Sequence, residues 1–374
     1  MKIAVLAETD ADEPRVAATP ATVKTLAGKG LEVTVQHDAG AGSFFSDDMY
    51  KKAGAAIAKT APAAVKGADI VLAVRRPPAS VIKAMKKGAV LAAQLDPYGN
   101  RKAIEDMAKA GIDAFAMELI PRITRAQSMD VLSSQANLAG YKAVVDAAAS
   151  FSRAFPMMMT AAGTIAPAKV FVMGAGVAGL QAIATARRLG AVVSATDVRA
   201  AAGEQVESLG AKFVFVEGLK DASTEGGYAR ELSDEDKKKQ AELVAGHITK
   251  QDIVITTALI PGRPAPVLVT KQMVESMQPG SIIVDLAVER GGNCPLSKPG
   301  KVVEHKGVTI MGHTNLAGRL AGNASQLYAK NLLNFISLMI GEKPELNIDW
   351  DDEIITGCAL TRSGEIIHPL LEKQ

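Results

Sequence analysis

Val170-Phe171-Val172-Met173-Gly174-Ala175-Gly176-Val177-Ala178-Gly179-Leu180 decides the fold. The apolar run before Gly174 reads as a buried strand and residues 180–189 as a helix, so the three glycines occupy a strand-to-helix turn. A bare G-x-G-x-x-G says little, whereas strand, glycines and helix in one short unit say much. The first glycine permits the tight turn, and the second removes a side chain where a pyrophosphate must approach the backbone. The third lets the helix pack on the strand, and the helix N-terminus favours phosphate charge. Asp197 closes the next strand, 18 residues after Gly179 (197 − 179). A carboxylate there accepts from the adenosine ribose hydroxyls and repels a 2′-phosphate, which favours NAD over NADP. Arg199 works against that preference, because an arginine can serve a 2′-phosphate.

Outward from this turn the same alternation continues. Strands are predicted at 169–173, 192–196, 212–216, 253–257, 281–286 and 308–311. Before them come strands at 2–6, 32–36, 70–74, 90–93 and 112–117, with helical spacing at 22–30, 80–87 and 101–110. Strands alternating with helices imply crossovers and parallel sheets. Two long helical stretches, 127–155 and 323–340, read as connectors, and 353–359 with 365–368 around Ser363-Gly364 reads as a hairpin. Residues 29–35 echo 189–195. The fold class is therefore α/β, with two Rossmann-like domains joined by two long helices. The first domain covers 1–130 plus 340–374, the connectors 131–160 and 318–340, and the second domain 160–317.

A chain of 374 residues is too long for one ordinary core, in keeping with two domains. Its 48% hydrophobic and 22% charged residues make it globular rather than disordered. The net charge of +2, spread along the chain, gives no clustered basic face for nucleic acid. Cys294 and Cys358 cannot form a disulfide framework and lack metal-ligand spacing; both are expected as buried small hydrophobes. His37, His247, His305, His313 and His368 are scattered and suggest no metal site. The start lacks the apolar region of a signal peptide, and no run approaches the roughly 18 apolar residues of a membrane span. A cytoplasmic location is expected.

Two further stretches carry candidates. Ala39-Gly40-Ala41-Gly42-Ser43-Phe44 follows a strand but has Phe45 where the third glycine belongs, so an ordinary loop is expected. Pro121-Arg122-Ile123-Thr124-Arg125-Ala126-Gln127-Ser128-Met129-Asp130, followed by Ser133-Ser134-Gln135, lies between the last strand of the first domain and the connecting helix. That position would face a cleft between domains. Asp130 and Gln127 as helix N-terminal caps are an equally physical reading, since a carboxylate suits that end of the helix dipole.

These stretches resemble the NAD(H)-binding component of proton-translocating transhydrogenase, in the form where that component is a separate subunit. The resemblance rests on 117–122, 125–130, 155–164, 174–179, 257–262, Gly291-Gly292-Asn293-Cys294-Pro295-Leu296 and Ala329-Lys330-Asn331-Leu332-Leu333, which together span most of the chain. Alanine dehydrogenase is the more distant relative and shares the two-domain plan and the start Arg15-Val16-Ala17-Ala18-Thr19-Pro20. The resemblance implies that Asp130 and Ser133 hold the nicotinamide carboxamide. It places Arg122 on the ring or pyrophosphate, and Gln127 toward a partner's nucleotide. Val177, Asp197, Val198 and Arg199 match adenosine and pyrophosphate contacts, with Gly227, Gln240 and Leu259 completing the pocket. Residues 217–236, carrying Tyr228, resemble a mobile loop that closes on nucleotide; a solvated loop without gating fits the composition equally.

Three functions follow as alternatives. One is a transhydrogenase subunit delivering hydride from NADH to NADP⁺ on another chain, active only with its partners. The second is an amino-acid dehydrogenase, and the third an NAD-binding module without chemistry. Alignment of 71–77 with alanine dehydrogenase puts Arg75 at that family's lysine, and 90–96 puts Asp96 at its histidine. Oxidising an amine requires a proton acceptor near the substrate, and arginine stays protonated. Hydride passage between two nicotinamides needs only rings in contact. The transhydrogenase reading is preferred. It implies a homodimer on the cytoplasmic face of the bacterial inner membrane, bound to an NADP(H)-binding subunit and a membrane proton-channel subunit.

Overall fold

The structure is a computed structural model and describes residues 1–216, 233–341 and 343–372. Its contacts divide the chain into two compact units, Met1–Gln135 with Gly318–Gln374, and Ala136–Ala317.

The first unit is built on a six-stranded, wholly parallel sheet. Its strands are β1 (Lys2–Val5), β2 (Glu32–Gln36), β3 (Ala56–Ala58), β4 (Ile70–Arg75), β5 (Val90–Gln94) and β6 (Asp113–Ala116), in the order β3-β2-β1-β4-β5-β6. Side chains alternate across the pleat: Ile3 and Val5 enter one core, Ala4 and Leu6 the other. Both faces are covered, which is why these strands read as continuous apolar runs. The helix Ala321–Ile336 packs Tyr328, Leu332, Phe335 and Ile336 into the first of these cores. It therefore belongs to the first unit, although its sequence reads as a shared connector.

An exposed antiparallel hairpin of β7 (Met158–Thr160) and β8 (Gly163–Ile165) precedes the second sheet. That sheet contains β9 (Lys169–Met173), β10 (Val192–Thr196), β11 (Lys212–Phe213), β12 (Ile253–Thr256), β13 (Ile282–Asp285), β14 (Lys301–His305) and β15 (Val308–Gly312). The order is β11-β10-β9-β12-β13-β15-β14, parallel except for β14 at the edge. The alternation repeats, with Val170 and Val172 in one core and Phe171 and Met173 in the other. Both units thus carry the 3-2-1-4-5 succession of nucleotide-binding sheets.

Several expectations change at the edges. The strand expected at 212–216 shortens to two residues. Residues 353–358, expected as a hairpin arm, form the helix Glu353–Cys358, capped by Asp352 through Ile354 N–H. The hairpin itself is β16 (Thr361–Arg362) with β17 (Glu365–Ile366), turning at Ser363 and Gly364, both at positive φ. The long helix starts at Val131 rather than 127, because Thr124–Met129 forms a 3₁₀ segment.

Candidate functional site

The glycine turn in the second unit shows why each glycine is there. Gly174 sits at φ +104°, a conformation side chains rarely adopt, and a Cβ on it would lie 2.4 Å from Thr257 Oγ1. A Cβ on Gly179 would fall 1.8 Å from the Gly174 carbonyl oxygen, so the helix Val177–Arg188 starts directly against the strand. Gly176 differs. It is exposed, and a Cβ there meets nothing within 4 Å. Its missing side chain serves no contact within the protein and leaves the helix N-terminus open. No side chain caps that end, so its N–H groups face an approaching anion. Val177 at 39% exposure presents an apolar side chain in the open at the same point. This is an arrangement that accepts a dinucleotide pyrophosphate.

Asp197 is less available than its position in sequence suggests. Its Oδ2 accepts the Ala175 N–H at 2.7 Å and Arg199 Nη2 at 2.8 Å. Its Oδ1 accepts Arg199 N at 2.9 Å and Arg199 Nε at 2.8 Å. Burial alone would push this carboxyl up, but the Arg199 guanidinium and the two backbone N–H groups outweigh it and hold the carboxylate below the usual range. A ribose hydroxyl reaching Asp197 therefore displaces part of the Arg199 fork. Arg199 also neutralises the charge that would repel a 2′-phosphate, so charge alone discriminates less than a lone carboxylate would. Val198 beside it is half-buried.

A second loop borders the turn. Thr257 Oγ1 donates to the Gly174 carbonyl at 3.1 Å. Next to it, Ala258 is held by a buried amide: its N–H donates to Asn293 Oδ1 at 3.1 Å, and Asn293 Nδ2 donates to its carbonyl at 2.9 Å. Asn293 is in turn fixed by the fully buried Asp285, whose Oδ1 accepts the Asn293 and Ala287 N–H groups and whose Oδ2 accepts Cys294 N–H and Ser297 Oγ. The Gly291–Leu296 stretch thus owes its place to a scaffold under this loop, a role that spacing in sequence does not disclose. Leu259 follows, 48% exposed. Gln240 lies half-buried on the helix Asp234–Ile248, whereas Gly227 and Tyr228 fall outside the described residues.

In the first unit the segment after β6 carries Arg122 and Gln127, both exposed, and Asp130 and Ser133, both half-buried. Asp130 Oδ1 accepts Ser133 N–H at 2.9 Å and Oδ2 accepts Ser133 Oγ at 2.5 Å. Asp130 therefore caps the helix Val131–Ser150, and the pair expected to grip a carboxamide grips itself. Arg125 forks onto Asp352 at 2.6 and 2.7 Å, and that hydrogen bond holds the Asp352 carboxyl below its usual range.

The carboxyl ends of β1 and β4 border a small crevice lined by Leu6, Glu8, Arg75, Arg76, Pro77 and Val81, among others. Protein groups fill it. Glu8 accepts the N–H groups of Val74 and Arg75 at 2.7 and 3.1 Å, and burial pushes its carboxyl up to about 7. Buried Glu13 takes the Arg15 guanidinium at 2.6 and 2.5 Å and Arg75 Nε at 2.9 Å, while Arg15 Nη1 donates to Gln135. Asp96 turns at φ +48° and accepts from Asn100 Nδ2. The loop at Ala39–Phe44 is a 3₁₀ turn whose glycines are demanded by packing: a Cβ on Gly40 would meet Phe45 and Tyr50, and one on Gly42 would meet Pro14, each within 3 Å. Nearby, His37 Nδ1 meets Asp47 Oδ2 at 2.5 Å and Nε2 faces Asp38 Oδ2 at 3.3 Å. Sequence leaves this histidine alone; folding gives it two carboxylates, one on each ring nitrogen, which is an ion pair rather than a chelate. Cys294 and Cys358 are buried and unpaired with one another.

The "Alanine dehydrogenase/PNT, N-terminal domain" model matches residues 4–139, and the corresponding C-terminal domain model matches 143–369. Across the whole of both chains, this one is 56% identical to the first portion of the NAD(P) transhydrogenase alpha subunit of Rhodospirillum rubrum, itself a separate chain. The chain belongs to the transhydrogenase alpha-subunit family. A crystal structure of transhydrogenase from Sinorhizobium meliloti superposes with a TM-score of 0.87 at 56% identity, covering 99% of this chain and 100% of that one. An L-alanine dehydrogenase structure, at 24% identity, shares the fold with a TM-score of 0.82 over 100% of this chain and 98% of the other. Transhydrogenase relatives thus stand much nearer than alanine dehydrogenase. Among the described residues no helix is long and apolar enough to cross a membrane.

Proposed function

We propose that this chain is the NAD(H)-binding subunit of a proton-translocating transhydrogenase, passing hydride between NADH and NADP⁺ held on a partner subunit. The observation that carries this reading is the contrast between the open Gly176 turn and the first-unit crevice. The turn offers unoccupied N–H groups to a pyrophosphate. Around the crevice, the positions that give alanine dehydrogenase its base hold Arg75 and Asp96, with Arg75 bound to Glu13. Arginine supplies no base, so amine oxidation lacks its proton acceptor.

Gly174, Gly176 and Gly179 with Val177 cradle the pyrophosphate. Asp197, Val198, Arg199, Gln240 and Leu259 contact the adenosine half, with Gly227 and Tyr228 in the covering segment. Arg122, Gln127, Asp130 and Ser133 serve the nicotinamide and the partner. Bound nicotinamide supplies the hydride: NADH becomes NAD⁺ and partner-held NADP⁺ becomes NADPH, with no proton change at either carbon. The protein's task is to hold the rings in contact, where a misplacement of about 1 Å costs on the order of 100-fold in rate. Attachment to the cytoplasmic face of the membrane is then through the partner chains, one binding NADP(H) and one conducting protons. A homodimer is supported by the hairpin of β7 and β8, which exposes Met157, Met158, Met159 and Ile165; a lone two-stranded hairpin is marginal in water, and a second copy would cover it.

The test is single-turnover hydride transfer from NADH to NADP⁺ in the mixed complex, alongside an assay with L-alanine and NAD⁺. Transfer without alanine turnover is expected. Alanine oxidation that disappears in Asp96→Ala would overturn the reading.

A further inference from the structure

Resting on the reading that segment 122–133 serves the nicotinamide, we propose that Asn331 and Asn334 are positioning residues for that segment. Both lie on the helix Ala321–Ile336, three apart and so on one face. Asn331 Nδ2 donates to the Ser128 carbonyl at 2.9 Å, and Asn334 Nδ2 donates to the same oxygen at 3.0 Å. Asn331 Oδ1 accepts Ser134 Oγ at 2.8 Å. One amide therefore clasps the chain on both sides of Asp130, at 128 and at 134. The Asp130–Ser133 cap lies between these two points, and the Arg125–Asp352 fork fixes the entry.

The chemistry of the clasp specifies its orientation. Asn331 is 7% exposed on a helix whose neighbouring Leu332 and Leu333 are buried, so its amide costs stability unless both ends are satisfied. The end facing a carbonyl must donate and the end facing a hydroxyl must accept, which only an amide of this length does. An apolar side chain of the same size would fill the space and release the segment. Ser128 and Ser134 lie 203 and 197 positions from Asn331, so the clasp couples the Ala329–Leu333 stretch to the segment without touching substrate.

Asn331→Leu and Asn334→Ala test this in the full chain mixed with the NADP(H)-binding subunit. Asn331→Leu should slow single-turnover hydride transfer about tenfold, and Asn334→Ala about threefold, with NADH affinity within about twofold of wild type. Amide hydrogen exchange at 126–134 should quicken in both, with or without the partner. A structural role alone would lower thermal stability and leave the transfer rate of the folded protein and this local exchange unchanged, and that result overturns the proposal. If Asn331→Leu does not fold, Asn334→Ala decides alone. Asp130→Asn, run in parallel, separates the two ideas. Unchanged transfer in Asp130→Asn removes the site reading and this inference with it. Slowed transfer in Asp130→Asn, with both asparagine variants normal, removes the clasp only.

Discussion

The two sheets share one strand order yet treat the end of their central strand in opposite ways. In the second unit β9 runs into a glycine turn and a 12-residue helix whose first N–H groups are left open. In the first unit β1 is followed by no helix until Pro20, and the N–H groups at the neighbouring strand end are taken by the Glu8 carboxylate. Topology places a crevice in both units. Whether it becomes a ligand site depends on which side chains the following loop supplies. The carboxylates show the same opposition. Asp197 is held below its usual range by Arg199, whereas Glu8, held by two backbone N–H groups, is pushed up by burial.

Gly176→Ala should break the contrast most severely. The methyl meets no protein atom, so the fold and thermal stability should persist, while the pyrophosphate loses its approach and NADH affinity falls by about 100-fold or more. Gly179→Ala makes the complementary case, since its Cβ would strike the Gly174 carbonyl and lower stability as well. Calorimetric titration with NADH and a melting curve separate the two. Unchanged NADH affinity in Gly176→Ala would place the nucleotide elsewhere.

That much of the site was legible because it is local. Strand, glycines and helix fall within about twenty residues, and each requirement follows from backbone sterics. Parallel strands buried on both faces were legible for a similar reason. The scaffolds were not: Asn293 meets Ala258 across 35 positions and Asn331 meets Ser128 across 203, and no periodicity records such pairs. Edge elements were also missed. β14 is a half-polar strand, Lys-Val-Val-Glu-His, and the Lys306-Gly307 turn after it, with φ of +48° and +79°, was its readable signal. Asp197 shows the limit of a motif: its position was right, but the Arg199 fork on it depends on side-chain geometry.

Cofactor choice sharpens the comparison on a smaller scale. NADH should bind at least about tenfold more tightly than NADPH, a gap near 1.4 kcal/mol. Asp197→Ala should narrow it, and because Asp197 also fixes the Ala175 N–H, NADH affinity itself should fall. Equal titration curves for both cofactors in the wild type would remove Asp197 as the discriminator.

The smallest effect expected concerns Glu8 and is read through pH. Its carboxyl titrates near 7 in the folded chain against an ordinary value of 4.5. Between those values the native chain keeps a proton that the unfolded chain has lost, so stability falls as pH rises through the window, and the penalty is complete above it. Glu8→Gln removes this titration. Its amide still accepts one of the two N–H groups, those of Val74 and Arg75, and loses the other, which sets a constant offset at every pH. The pH slope is therefore the informative quantity, not the absolute stability. Relative to its own value at pH 5, the variant should gain about 1 kcal/mol on the wild type by pH 8, a figure reduced from the full shift because Glu8 is only partly buried. Asp197 does not interfere, because its lowered pKa removes stability only as pH falls below the ordinary carboxylate range. Two-unit unfolding need not be a single transition, so denaturant midpoints of wild type and variant are compared pairwise across pH 5–8. Parallel pH profiles would show that Glu8 is already charged in the native chain, and the first-unit crevice would then be far better solvated than its packing implies.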